Sequence, residues 1–217
     1  YGYQPRGNGE NVPEARSSFM AEDKFVIALS YTAQLIGDND TKFSLLGIRK
    51  SGEPYSITFD GDAYNGKGRD GYDLAYIPTG PNDPKVVFSS AAAATEVMNF
   101  VNSSCASGAK GTIIARNTCT APTQTRIDMR ITQNFNVMDG HKVIVYLDIQ
   151  NLMNLLDEDK GWAQEVGSNV SKAIKIDGAD AQGRHIMTGA DPDDNFFYST
   201  SNGQSMWQMN LGVAYKF

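Results

Sequence analysis

The sequence predicts an all-β chain: the C-terminal strands of a transmembrane antiparallel β-barrel, with long extracellular loops and a short loop helix. Three observations predict it. Five segments alternate apolar and polar side chains at the two-residue period of a strand. Short turns and long polar connections take turns between those segments, as in a membrane barrel. The last twelve residues, Met206 to Phe217, alternate up to an aromatic end.

Residues 1–23 read as the descending end of an outer loop. The opening Tyr1-Gly2-Tyr3-Gln4-Pro5-Arg6 carries no charged leader followed by an apolar run, so the expectation is a removed leader or a longer polypeptide upstream. The first strand, about 24–36, sets Phe25, Ile27, Leu29, Tyr31, Ala33 and Leu35 against Ala28, Ser30, Thr32 and Gln34. Gly37-Asp38-Asn39-Asp40 turns it into the second, about 41–59. There Gly52-Glu53-Pro54 interrupts the alternation, and Pro54 marks a bulge or the strand's emergence from the sheet.

Residues 60–123 form the next expected outer loop. Ala91 to Val101 has helical propensity and puts Val97, Phe100 and Val101 on one side, predicting a short helix folded over the barrel mouth. A ligand lid and a packed loop element are the two readings of that helix. Cys105 and Cys119 follow, fourteen residues apart, with no His or second Cys pair to complete a zinc site. A disulfide closing a surface loop is expected, with two free thiols as the alternative; the bond would imply an oxidising compartment and contribute about 3 kcal/mol by restricting the unfolded chain.

The third strand, about 124–138, opposes Ile127, Met129, Ile131, Phe135 and Val137 to Arg126, Asp128, Arg130, Thr132, Asn134 and Asn136. Asp139-Gly140 has the chemistry of a two-residue hairpin turn. It leads into the fourth strand, about 141–153, with Val143, Val145, Leu147 and Ile149 on one face. Residues 154–204 make another long polar loop, and 205–217 the last strand. Five strands do not close a barrel, because an open edge in lipid leaves backbone groups unpaired. The chain is therefore expected to be part of a longer one.

Composition bounds the function. Hydrophobic residues make up 41% of the 217, and no apolar run reaches the roughly 18 residues of a membrane helix. Mean hydropathy is -0.38. A net charge of -6 offers no basic stripe for phosphates, which argues against a nucleic-acid partner. There is no Gly-x-Ser-x-Gly elbow and no His-Glu-x-x-His. His141 abuts a hairpin turn and His185 lies in a polar stretch, so both are expected to be surface residues and no enzyme is expected.

Several short motifs resemble the barrel end of TonB-dependent outer-membrane receptors, in their Oar-like, OmpA-related branch. They are Val12-Pro13-Glu14-Ala15-Arg16-Ser17-Ser18, Ser51-Gly52-Glu53-Pro54-Tyr55-Ser56 and Asp70-Gly71-Tyr72-Asp73-Leu74-Ala75-Tyr76-Ile77-Pro78. Arg126-Ile127-Asp128-Met129-Arg130, the run from Gly140 through Leu156, and Phe217 complete the set. The resemblance implies a barrel of about 22 strands closed around an N-terminal plug. It also implies ligand import driven by TonB through a part outside this chain. Tyr215 and Phe217 resemble the C-terminal signal read by the barrel-assembly machinery.

Candidate site residues follow from chemistry. Asp60, Asp62, Asn65, Asp70 and Asp73 offer hard oxygens among glycines, a calcium-like set that departs from the EF-hand spacing; a solvated acidic turn is the alternative. Arg126, Asp128 and Arg130 share one face and are expected to form an ion network in the lumen. Trp162, Phe196, Phe197 and Tyr198 are candidate loop contacts for a ligand, with loop packing as the alternative. Three functions stay open: ligand import across the outer membrane, adhesion or surface organisation through surface-associated proteins, and a soluble secreted calcium-binding β domain. The exposed ridge of Trp207, Leu211, Val213 and Phe217 argues against the last.

Overall fold

The computed structural model describes residues 14–63, 71–191 and 205–217, and the backbone of 196–198. Its elements in order are β1 (Lys24–Ile36), β2 (Asn39–Lys50), β3 (Pro54–Asp60), β4 (Val86–Phe88), α1 (Ala91–Ser103), β5 (Cys119–Thr120), β6 (Gln124–Met138), β7 (His141–Gln150), α2 (Leu152–Leu156), β8 (Gln164–Val166), β9 (Val170–Ala179), β10 (His185–Ala190), β11 (Phe196–Tyr198) and β12 (Gln208–Lys216). The chain is mostly β, and it divides into two compact units.

The first unit is an antiparallel five-stranded sheet in the order β1-β2-β6-β7-β12. β1 turns into β2 through Gly37 and Asp38, and β6 into β7 through Asp139 and Gly140. Gly140 has φ +78°, a left-handed conformation that a side chain resists. Beside each turn the register slips once, between Gln34 and Ile36 and between Asn136 and Met138. These bulges are obligatory. A two-residue turn alone pairs odd residues with even ones and mixes the faces; one extra residue restores apolar opposite apolar.

The second unit is built from 53–121 and 165–197, mostly segments expected as the long loops 60–123 and 154–204, together with residues 14–20. That expectation is corrected: these residues form a mixed sheet, β4-β10-β9-β3-β5, with a core of their own. The predicted single strand 41–59 is likewise two strands in two sheets, broken at Ser51-Gly52-Glu53. β3 is buried along nearly its whole length, so its polar residues need partners inside. Ser56 Oγ donates to Asn117 Oδ1 at 3.1 Å and accepts from Asn117 N at 3.0 Å. Thr58 is also fully buried, which is why Tyr55, Ile57 and Phe59 mimicked one more half-exposed strand.

The predicted helix is present as α1. Ser90 caps it by accepting from Ala93 N at 3.0 Å, and Val97, Phe100 and Val101 pack into the core with Ile57, Phe59 and Met187. Cys105 and Cys119 form the expected disulfide, tying the turn after α1 to β5, with Cα atoms 5.5 Å apart. Arg16 grips the same region from the N-terminal side: its guanidinium donates to the carbonyls of Asn117 at 2.8 Å and Thr118 at 2.7 Å. Two other boundaries move slightly. β7 ends at Gln150, where Asn151 takes a left-handed φ of 54° and α2 begins, and the last strand starts at Gln208.

Candidate functional site

The five-stranded sheet has two chemically opposed faces, and its register aligns them across all strands. On one face Tyr31, Phe43, Ile131, Leu147 and Leu211 form a continuous row, followed by Leu29, Leu45, Met129, Ile149 and Met209. This apolar face is open on the outer strands, where Leu211 is 76%, Val213 69% and Tyr31 69% exposed, while Ile149 on β7 is buried. Soluble proteins rarely leave such a contiguous patch uncovered. Thr41 and Gln133 interrupt it near the turns, and each satisfies the other by a side-chain hydrogen bond.

Aromatic residues bracket the apolar face on β12. Trp207 lies at one end, half exposed, and Tyr215 at the other, about 26 Å along the strand at the usual rise per residue. Tyr215 is held in place: its hydroxyl lies 2.6 Å from His141 Nδ1, the two rings stack at 5.7 Å, and Phe217 sits 6.1 Å beyond.

The opposite face is polar in its central rows, flanked by Val26, Leu46 and Ile48 on one side. One row reads Ser30, Ser44, Arg130, Asp148, Asn210, the next Thr32, Lys42, Thr132, Tyr146, Gly212. Arg130 donates through Nε and a terminal nitrogen to both oxygens of Asp148, the second bond 2.6 Å long. Its guanidinium lies 5.1 Å from the centre of the Tyr146 ring. That ring lies over Gly212, where an added Cβ would overlap it. Arg126 pairs with Asp128 at 2.9 Å, and the other Asp128 oxygen accepts from Asn151 N at 2.9 Å. Asn151 Nδ2 in turn donates to Gly161 O at 2.9 Å.

The expected trio Arg126, Asp128 and Arg130 therefore splits into two pairs, and Arg130 finds Asp148 on the neighbouring strand. Sequence reading missed Asp148, Tyr146 and Asn151. The signal was the Asp139-Gly140 turn combined with a bulge, which sets Asp148 opposite Arg130.

The remaining candidates scatter. Asp60 pairs in register with Lys175, and Asp73 is buried, its carbonyl accepting from Phe59 N at 3.0 Å. Asp62 is described with them, whereas Asn65 and Asp70 lie outside the described residues. Among the described residues no three of His, Cys, Asp and Glu gather as a metal site. Trp162 is partly exposed and donates its indole N–H to Glu158 O at 2.8 Å. The side chains of Phe196, Phe197 and Tyr198 lie outside the described residues.

His185 is a correction. It sits half-buried in β10 and not in a polar loop, with its ring 5.0 Å from Phe59, and burial pushes its pKa down against a hydrogen bond to the Ala63 backbone. It borders a cavity of about 650 Å³ with Tyr76, Lys85, Thr112, Gln182 and Arg184. Beneath it Asp83 is a buried acceptor: it takes hydrogen bonds from the Tyr76 hydroxyl at 3.0 Å, Thr79 N at 2.8 Å and Lys85 N at 2.9 Å. Burial alone would raise the Asp83 pKa, but these donors hold it below the usual carboxylate range. Burial and the Asp83 charge push Tyr76 up to about 12.

No family model, no curated protein and no solved structure matches the chain.

Proposed function

We propose that the five-stranded sheet is part of the wall of an outer-membrane β-barrel, and that the chain is the C-terminal portion of a TonB-dependent receptor that captures a ligand and imports it. One observation carries this reading: a single apolar face, most exposed on β1 and β12, runs in register across all five strands, backed by a face whose central rows are polar. Moving a leucine-sized side chain out of water contributes about 1.5–3 kcal/mol, so the exposed members of the two apolar rows, Leu29, Tyr31, Leu45, Met209 and Leu211, together contribute several kcal/mol in lipid. Left in water, the same face drives aggregation.

Three further features support the reading. Aromatic residues bracket the apolar band at about the height of a bilayer core. Both hairpin turns fall at one end of the sheet, and the long connections at the other. β1 and β12 each keep one unpaired edge among the described residues, as strands awaiting barrel neighbours would. The wall would belong to a barrel of about 22 strands, with its long connections outside the cell.

The test is the intact mass and N-terminal sequence of the natively extracted polypeptide from outer-membrane fractions. The expected species is several times 23.6 kDa and carries a plug and a TonB-contacting motif. A large barrel lacking both would favour an adhesin, and a detergent-free soluble chain would refute the membrane reading.

A further inference from the structure

At the end of the sheet remote from the turns, Lys24 and Lys50 stand directly opposite each other on the polar face. Lys50 also faces Gln124 on β6, and Arg126, two residues along, faces Ile48 on that same face. The three cationic side chains line one groove of about 210 Å³, completed by Ile48, Gln124 and Ala163. Like charges directly opposite across an antiparallel pair destabilise it. Arg126 is balanced by Asp128. Among the described residues, neither lysine has a side-chain hydrogen bond or an ion pair, so their repulsion is left uncompensated.

We propose that this groove binds a small multivalent oxyanion, a phosphate or a polycarboxylate. Lys24 Nζ and Lys50 Nζ are its principal donors, and Arg126, its charge offset by Asp128, adds guanidinium N–H groups at the edge of the groove. An anion between the lysines replaces their repulsion with two charge-assisted hydrogen bonds. The site stands on the sheet's register and is independent of whether the sheet belongs to a barrel.

The same face supplies its own control. At the turn end Lys142 stands opposite Lys216, another directly opposed pair, but its β6 neighbour Asn136 is followed on that face by the neutral Asn134, where the first pair has Arg126 two residues along. A site built from a lysine pair with a guanidinium beside it separates the two ends; diffuse attraction to lysines does not.

The experiment is calorimetric titration of the native polypeptide in detergent with inorganic phosphate and, separately, with citrate. Low ionic strength keeps the charges unscreened. Saturable binding of one anion per chain is expected, weakened at least tenfold in K24Q/K50Q and unchanged in K142Q/K216Q. Phosphate bound without citrate identifies a phosphate site, and both bound alike identify a general oxyanion site. If K24Q/K50Q does not fold, K50Q alone carries the comparison, with a loss of several-fold expected. No saturable binding of either anion, or equal weakening in the two double variants, overturns the proposal.

Discussion

Arg130 and Asp148 face each other across β6 and β7 in a two-pronged ion pair, and the bulge between Asn136 and Met138 is what makes them meet. Without that extra residue Arg130 would oppose Ile149. The pair thus reports on the register of the whole hairpin.

Replacing either partner with alanine is expected to cost stability, and a double-mutant cycle should return a coupling of about 1 kcal/mol. The forked geometry supports a value at the upper end for a solvent-accessible pair. Urea unfolding of the four proteins in detergent measures it; a coupling indistinguishable from zero would mean the pair is incidental.

Gly212 and Tyr146 make a second cross-strand contact, in which the ring fills the space a side chain would take. Gly212→Val is expected to evict the ring and its stacked Arg130, lowering stability by about 1–3 kcal/mol as overpacking does. Adding Tyr146→Ala should recover part of that loss. If Gly212→Val alone is neutral by thermal unfolding, the ring does not lie where described.

Much of this sheet was legible from alternation, because the period of two survives whatever the strand packs against. Register takes two facts combined. Apolar residues fall on odd positions in both β6 and β7, and a two-residue turn cannot align them, so pattern and turn together imply a bulge. The second unit was hidden for a different reason. Ser56 and Thr58 look solvent-facing, yet buried partners satisfy them, and most of the elements around β3 are too short or too polar to announce a core. His185 was misplaced by the same polarity: its strand sits in a stretch dominated by Asp, Gly and Gln.

The disulfide predicts a local effect. Reduction, or Cys105→Ser with Cys119→Ser, should destabilise the second unit by about 3 kcal/mol, following the loop-closure estimate. Limited proteolysis should then cut within 60–121, while the Lys24–Ile36 and Gln208–Lys216 strands resist. Unchanged protease resistance would show that Arg16 and the core suffice.

Tyr76 predicts a pH window. The folded protein holds its hydroxyl proton more tightly than the unfolded chain, with a pKa of about 12 against an ordinary 10.0. Its stabilising contribution is complete below pH 10 and is lost as pH rises to about 12. Unfolding of the wild type should steepen over that range and that of Tyr76→Phe should not, and ultraviolet titration should show a late tyrosine that Tyr76→Phe removes. Matching alkaline profiles for the two proteins would remove Asp83 as its partner.

The most direct measurement concerns the apolar face. Single cysteines at positions 209 to 214, carrying an environment-sensitive fluorophore, would be reconstituted into vesicles of brominated phosphatidylcholine. Quenching is expected to alternate along β12, strong at Met209, Leu211 and Val213 and weak at Asn210, Gly212 and Ala214. Uniform quenching, or none at Leu211, would contradict a lipid-facing wall.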